Sequence, residues 1–432
     1  MQRNRILSDL LSTLFARGTA FKRADDDRTI FQLCEALLSA EGEVSGQTLA
    51  SVILARYRDL NDEGKRAFFV YLNDSMDIDG HALAVLSTDY ANNPTVELFR
   101  ALSRAAEPRR QELFRRLNQP VGATAELVAM RVDLLHLMRD MPELARTDTD
   151  FVHLLRSWFN RGFLVLQNID WDTPARVLDK IVAYEAVHQI NDFDDLRRRL
   201  YPSDRKCFAY FHPAMPDEPL IFVEVALTKK IPSSIQALLS EEREPIAAVE
   251  ASVAAFYSIS NCQKGLSGIS FGNLLIKQVA AELAADYPQL TDFVTLSPIP
   301  GLNAWLAEQK DDPVIAHAAR RVLDGAAPES ELRGLAAHYL LKAKRSDGKP
   351  RDPVARFHLG NGAVVHDVHA GADTSANGLR QSGGAMVNYR YDLARTEANH
   401  EAFELHGTVA VSRSVQSLAA LGRANNNEEP AA

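Results

Sequence analysis

Residues 257–283 read YSISNCQKGLSGISFGNLLIKQVAAEL. An apolar, β-branched run fades near Ser260, and glycines Gly265, Gly268 and Gly272 crowd the next segment. A helix then starts around Asn273, with Leu275, Val279 and Leu283 on one face. VAAFYSIS (253–260) supplies the strand before this loop and FVTLS (293–297) the strand after the helix. Strand, glycine-containing loop, helix and strand make a βαβ unit. Glycines let backbone come close to a ligand, and the unpaired N–H groups at a helix start attract phosphate. Glycines that merely relieve strain ahead of a helix would give the same pattern. The spacing is neither the P-loop motif nor the dinucleotide fingerprint.

Working outward, CFAYFH (207–212) and LIFVEVAL (220–227) are strand candidates separated by the turn-rich PAMPDEP. AVVHDVHA (363–370) and MVNYRYD (386–392) read as later strands. Thr173-Pro174 predicts a helix start, a capping hydroxyl followed by proline at the first helical position. Before Trp171 the texture is helical. Ile6, Leu10, Leu11 and Leu14 share a face. Ile30, Leu33, Cys34, Leu37 and Leu38 repeat at helical spacing, with Gly42 as the expected stop. The expected organisation is α+β and multidomain. An N-terminal all-α bundle (1–170) precedes an α/β domain (171–420), and a polar tail (421–432) is expected to be disordered.

The bulk composition limits the function. At 432 residues the chain exceeds one ordinary core, and 46% hydrophobic with 24% charged residues is a globular balance. A formal net charge of −9 argues against broad nucleic-acid binding, which relies on surplus Lys and Arg. No apolar run approaches the roughly 20 residues that span a bilayer. Three scattered cysteines, Cys34, Cys207 and Cys262, have no CxxC or zinc-ligand spacing and fit a reducing compartment. The first residues, MQRNRILSDLLSTLFARG, have a transit-peptide look, but Asp9 interrupts them and an ordinary first helix is expected. A cytoplasmic location is the expectation in the absence of a recognised targeting signal.

Several polar clusters are ambiguous. Arg104, Arg109, Arg110, Arg115 and Arg116 could hold phosphate, but Leu102, Leu113, Phe114 and Leu117 provide an inner face, so a solvated helix face is expected. His366 and His369 invite a metal, yet on a strand their spacing puts them on opposite faces, and no metal site is expected. His212 opens the HPAMPDEP turn and reads as structural. In LSPIPG (296–301) two prolines stiffen the backbone after Ser297 and could hold its hydroxyl at one angle, although such a segment is ordinarily a turn. It is not a G-x-S-x-G elbow. In FHLGNGA (357–363), His358 between Phe357 and Leu359 would ordinarily be a packed, hydrogen-bonded residue.

The blocks HPAMPDEPLIFVEVAL, FYSIS…GLSGISFGNLLIKQV, LSPIPG, FHLGNGAVV and GGAMVNYRY occur here in the order found in malonyl-CoA decarboxylases. The chain resembles that family most strongly from about residue 163 to residue 391. The resemblance implies a helical N-terminal domain joined to a catalytic domain similar to the N-acetyltransferase fold. It implies conversion of malonyl-CoA to acetyl-CoA and CO2. It carries Ser297 over as the catalytic serine, His358 as the catalytic histidine and, with less weight, Tyr391 as an active-site tyrosine. Coenzyme A contacts are carried over to Ser267, Gly268, Ile269, Ser270, Phe271, Gly272 and Asn273. The acetyltransferase signature itself is imperfect, because the spacing of Gly265 and Gly268 after Gln263 departs from it. No cofactor is implied beyond the coenzyme A of the substrate, since the thioester is itself the electron sink. A homo-oligomer, a tetramer in the family, is implied for the assembly. Two rivals share the expected coenzyme A grip: an acyl-CoA-dependent N-acetyltransferase and a non-catalytic coenzyme A-binding protein.

Overall fold

The structure, a computed structural model, describes residues 27–40, 42–269 and 272–424. The expected first helix around Ile6–Leu14 therefore lies outside the described residues, as do residues 425–432 of the tail. Residues 421–424 continue the helix Arg413–Ala424, so any disordered tail begins later than residue 421. The chain forms two compact units. One comprises the residues up to Leu164 together with His212–Pro216 and Gln263–Ile269, and the other comprises the rest.

The first unit is helical from Ile30–Ser39 to Ala145–Trp158. Its helices start where the sequence offers caps. Thr29 closes a capping box with Gln32, and Asn61, Asp79 and Thr95 each accept a first-turn N–H. Leu33, Leu37, Phe68, Phe69, Phe114 and Phe151 fill its interior. Each such burial is worth roughly 1.5–3 kcal/mol. Gly42 does not end the helix Ile30–Ser39. Extended backbone at Ala40 ends it, and Gly42 is the N-cap of the next helix, Glu43–Arg58.

The arginine cluster is not a uniformly solvated face. Arg110 is 2% exposed, pairs with Asp150 and Asp77, and donates to the Leu72 and Asn73 carbonyls. The helices Gly80–Asn92 and Val96–Ala105 differ from their neighbours in burying no side chain, with Val85, Val96 and Phe99 exposed.

The second unit is built on one eight-stranded sheet in the order β1-β2-β3-β4-β5-β8-β6, with β7 also paired to β8. The strands are β1 Val165–Ile169, β2 Arg205–Phe211, β3 Ile221–Thr228, β4 Val253–Asn261, β5 Asp292–Thr295, β6 Ser297–Pro298, β7 Val364–His369 and β8 Met386–Tyr391. Residues 165–169, expected within the helical half, form β1 against β2. Four of its five side chains are exposed or half-buried, so it lacks the alternation that marks a strand. Thr173 does not cap the following helix. Its hydroxyl is engaged with Asp170, and Pro174 stands at the N-cap of Ala175–Tyr184.

Pairing is antiparallel throughout except between β4 and β5, which the helix Gly272–Asp286 connects as the expected βαβ unit. Ile169, Val177, Ile181, Leu196, Phe211 and Phe222 share one buried cluster of this unit.

Candidate active site

A break in the sheet makes the site. β4 and β5 stay in register only as far as Phe256 and Thr295, and the Leu296 N–H to Phe256 C=O bond is the last rung. The chain then leaves β4, and Ser297-Pro298 pairs with Val387 and Met386 of β8. FVTLS is therefore two short strands, not one. On the other side of β4 the register shifts between Glu224 and Val225, leaving Tyr257 as the extra residue of a bulge that bends the strand. The wedge so opened is a cavity of about 240 Å3, lined by Tyr257, Ile259, Asn261, Ser297, Phe357 and His358 among others.

Three of the expected site residues meet beside this wedge. Ser297 Oγ lies 3.1 Å from His358 Nε2, and His358 Nδ1 lies 2.8 Å from the Tyr391 hydroxyl. Ser297 sits on β6 and Tyr391 ends β8. His358 comes from the helix Pro353–Gly360. That helix begins on Asp352-Pro353: the Asp352 carboxylate accepts the Ala355 N–H at 2.8 Å, and proline occupies a first-turn position that needs no donor. The Tyr389 ring stacks on the imidazole at 4.5 Å between centroids. Ser297 is 5% exposed and His358 and Tyr391 are 2% exposed.

Burial governs the protonation states. It pushes His358 down to about 3, so the ring is neutral near pH 7, and it pushes the Tyr391 phenol well above its ordinary value. Burial also raises Asp352 to about 6, against the pull of the backbone N–H groups that it accepts. A neutral imidazole held at both nitrogens can donate one proton and accept another, which suits acid–base work.

The sequence reading missed Thr295, Asp352 and Tyr389. Thr295 carried a signal, since a residue two before Ser297 on extended chain shares its face. Asp-Pro ahead of an apolar helix also carried one.

The residues expected to grip coenzyme A are distributed differently. Ser267, Gly268 and Ile269 belong to the helical unit, whereas Ser297, His358 and Tyr391 belong to the sheet unit. Ser270 and Phe271 lie outside the described residues, and Gly272 and Asn273 open the helix Gly272–Asp286. Within the helical unit the loop is tightly held. Arg131, 2% exposed, donates to the carbonyls of Gly265 (2.7 Å) and Ser267 (2.8 Å) while pairing with Asp148 at 2.7 Å. Gly265 lies so close to the helix Ala123–Leu137 that a Cβ would stand 2.0 Å from the Val128 carbonyl oxygen. Gly268 has φ +79°, which favours glycine.

Elsewhere, His212 accepts the Ala214 N–H and also bonds the Trp158 carbonyl, a turn-holding arrangement. His369 pairs with Asn388, and the bulge between Val365 and Asp367 interrupts simple alternation at His366. Among the described residues no helix is long and apolar enough to cross a membrane.

Comparison with known proteins bears on this site. Residues 162–430 match the family described as malonyl-CoA decarboxylase C-terminal domain, and residues 77–159 match malonyl-CoA decarboxylase N-terminal domain. The chain is 35% identical over 362 residues to the mitochondrial malonyl-CoA decarboxylase of Anser anser anser, covering 74% of this chain and 71% of that protein. It is 34% identical over 367 residues to the rat (Rattus norvegicus) mitochondrial enzyme, covering 74% and 73%. The crystal structure of malonyl-CoA decarboxylase from Rhodopseudomonas palustris matches with a TM-score of 0.84 and 49% identity, covering 90% of this chain and 98% of that one. That from Agrobacterium vitis matches with a TM-score of 0.85 and 47% identity, covering 90% and 99%. Likeness on this scale, running through both the helical half and the sheet with its Ser297–His358 wedge, makes the chain a member of the malonyl-CoA decarboxylase family.

Proposed function

We propose that this protein converts malonyl-CoA to acetyl-CoA and CO2 at the β4–β5 wedge, with Ser297, His358 and Tyr391 as the reacting side chains. The observation that carries this reading is the hydrogen-bonded line Tyr391–His358–Ser297 beside the cavity. The bond between the carboxylate carbon and C2 breaks, and its electron pair moves into the thioester carbonyl as an enolate. Ser297 holds the His358 N–H beside that developing charge. His358 then supplies its Nε2 proton to C2, and the same nitrogen regains one from solvent once the wedge empties. Its neutral imidazole is a competent acid here, because an enolate carbon is far more basic than an imidazole nitrogen.

Among the described residues the wedge lining holds no Lys or Arg. The substrate carboxylate therefore loses hydration there without gaining an ion pair, and its charge disperses as CO2 leaves. No metal, pyridoxal phosphate or biotin has a task in this scheme. The edge of β4 beyond Phe256 offers backbone groups to the amides of the pantetheine arm, and residues 267–273 would receive the coenzyme A phosphates.

The same reading makes the sheet unit the catalytic part and gives the helical unit the assembly role. A homo-oligomer is supported by the exposed Val85, Val96 and Phe99, and a tetramer is the form to test. Three free, buried cysteines support a reducing, cytoplasmic setting.

The test is purified protein with malonyl-CoA alone. Release of CO2 and appearance of acetyl-CoA without any amine is expected. A folded wild-type protein that releases CO2 only when an amine is supplied, or not at all, would overturn the proposal.

A further inference from the structure

Thr295 stands at the end of the hydrogen-bonded line and is fully buried. Its Oγ1 accepts the Tyr389 N–H at 3.2 Å and the Ser297 hydroxyl at 2.8 Å. A serine hydroxyl has one proton, so Ser297 then presents only lone pairs to His358. The 3.1 Å contact between them therefore needs the hydrogen on His358 Nε2. A neutral imidazole has one N–H, which leaves Nδ1 bare to accept the Tyr391 hydroxyl at 2.8 Å. Every proton along the line follows from where the Ser297 proton points.

We infer that Thr295 is a positioning residue: by taking the Ser297 proton it holds His358 as the Nε2–H tautomer, with the acidic N–H toward Ser297 and the wedge. This rests on the reading of Ser297 and His358 as the reacting pair. The opposite order, with the serine proton on Nε2 and Nδ1–H on Tyr391, is the arrangement that turns a serine into a nucleophile. Thr295 thus selects proton donation over serine attack. Its place is fixed independently of substrate. The Asn388 amide donates to the Thr295 carbonyl at 2.8 Å, and β4 and β8 flank it.

The experiment is 15N NMR of histidine-labelled protein, with the His358 signals assigned by their loss in His358→Gln. Wild type should show the Nε2–H tautomer; an Nδ1–H tautomer in wild type overturns the inference whatever the variants do. Thr295→Val should move the signature to Nδ1–H and lower kcat about 10²-fold with KM nearly unchanged. Thr295→Ser should keep the wild-type tautomer and a rate within about threefold, by restoring the acceptor. Thr295→Val with unchanged tautomer and rate overturns it, as does Thr295→Ser falling as far as Thr295→Val. If Thr295→Val does not fold, the wild-type spectrum and Thr295→Ser still decide. A wild type with the Nε2–H tautomer but no decarboxylation would sink the proposed function and leave this proton order standing.

Discussion

The loop 263–269 and the Ser297–His358–Tyr391 line solve opposite problems. In the loop the proposed contacts are main chain, held by the Arg131 guanidinium on two carbonyls and by the Val128 carbonyl pressed against Gly265. In the line the proposed reacting groups are side chains, and main chain holds them: a strand places Ser297, a capped helix places His358, and a neighbouring strand ends at Tyr391. The first design tolerates any side chain that leaves the backbone in place. The second depends on the functional groups of Ser297 and His358, yet accepts changes in the scaffold that keep its angles. Damage to the loop should therefore appear in substrate affinity, and damage to the line in turnover.

The largest effect expected is on the line. Ser297→Ala and His358→Gln should each lower kcat about 10²–10³-fold with little change in KM, measured as CO2 release from variants shown to be folded. If either raised KM instead and spared kcat, the contrast between the two regions would collapse.

Next comes the loop. Arg131→Met should raise KM for malonyl-CoA about tenfold, because a lost charge-assisted contact is worth about 1.5–3 kcal/mol, and should leave kcat nearly unaltered. Malonyl-pantetheine, which lacks the nucleotide phosphates, should show little of that increase. A general loss of structure would weaken both substrates alike.

Gly265→Ala sharpens the comparison from the packing side. Its Cβ meets the Val128 oxygen at 2.0 Å, and overpacking of this kind costs about 1–3 kcal/mol, seen as a lower melting temperature. Tyr391→Phe removes one neutral hydrogen bond to His358 and should cost only about 3–10-fold in kcat.

Smallest is the pH response of turnover. With His358 held near 3, its titration should leave kcat flat between about pH 5 and about pH 8. Stability should follow a different course. The unfolded ring protonates near 6.5 and the folded one only near 3. The folded state is therefore favoured in full above about 6.5 and loses that advantage as pH falls through 3. Melting temperatures of wild type and His358→Gln should converge as the solution is acidified.

What the sequence made legible has a common physical basis. The βαβ unit showed itself because hydrophobic spacing changes from a strand run to helical period across a glycine-rich turn, a local signal. Ser297 and His358 came only from ordered sequence blocks, since 61 residues separate them and no local rule pairs a strand-end serine with a helical histidine. Arg110 was misjudged for the same reason. Its partners Asp77 and Asp150 lie 33 and 40 residues away, and a buried arginine looks like a surface one until they are in place. β1 escaped notice because few of its side chains are buried. Thr295 was within reach, two residues from Ser297 on extended chain, but only the contact with the Ser297 hydroxyl gives it a task.

The imidazole of His358 is bonded at both nitrogens and stacked against Tyr389, so the ring cannot turn over within the site. A donor fixed in this way meets a planar enolate from one side. Malonyl-CoA stereospecifically tritiated at C2 and turned over in deuterium oxide should then yield acetyl-CoA whose methyl group has a single handedness. Protonation by bulk water would give both.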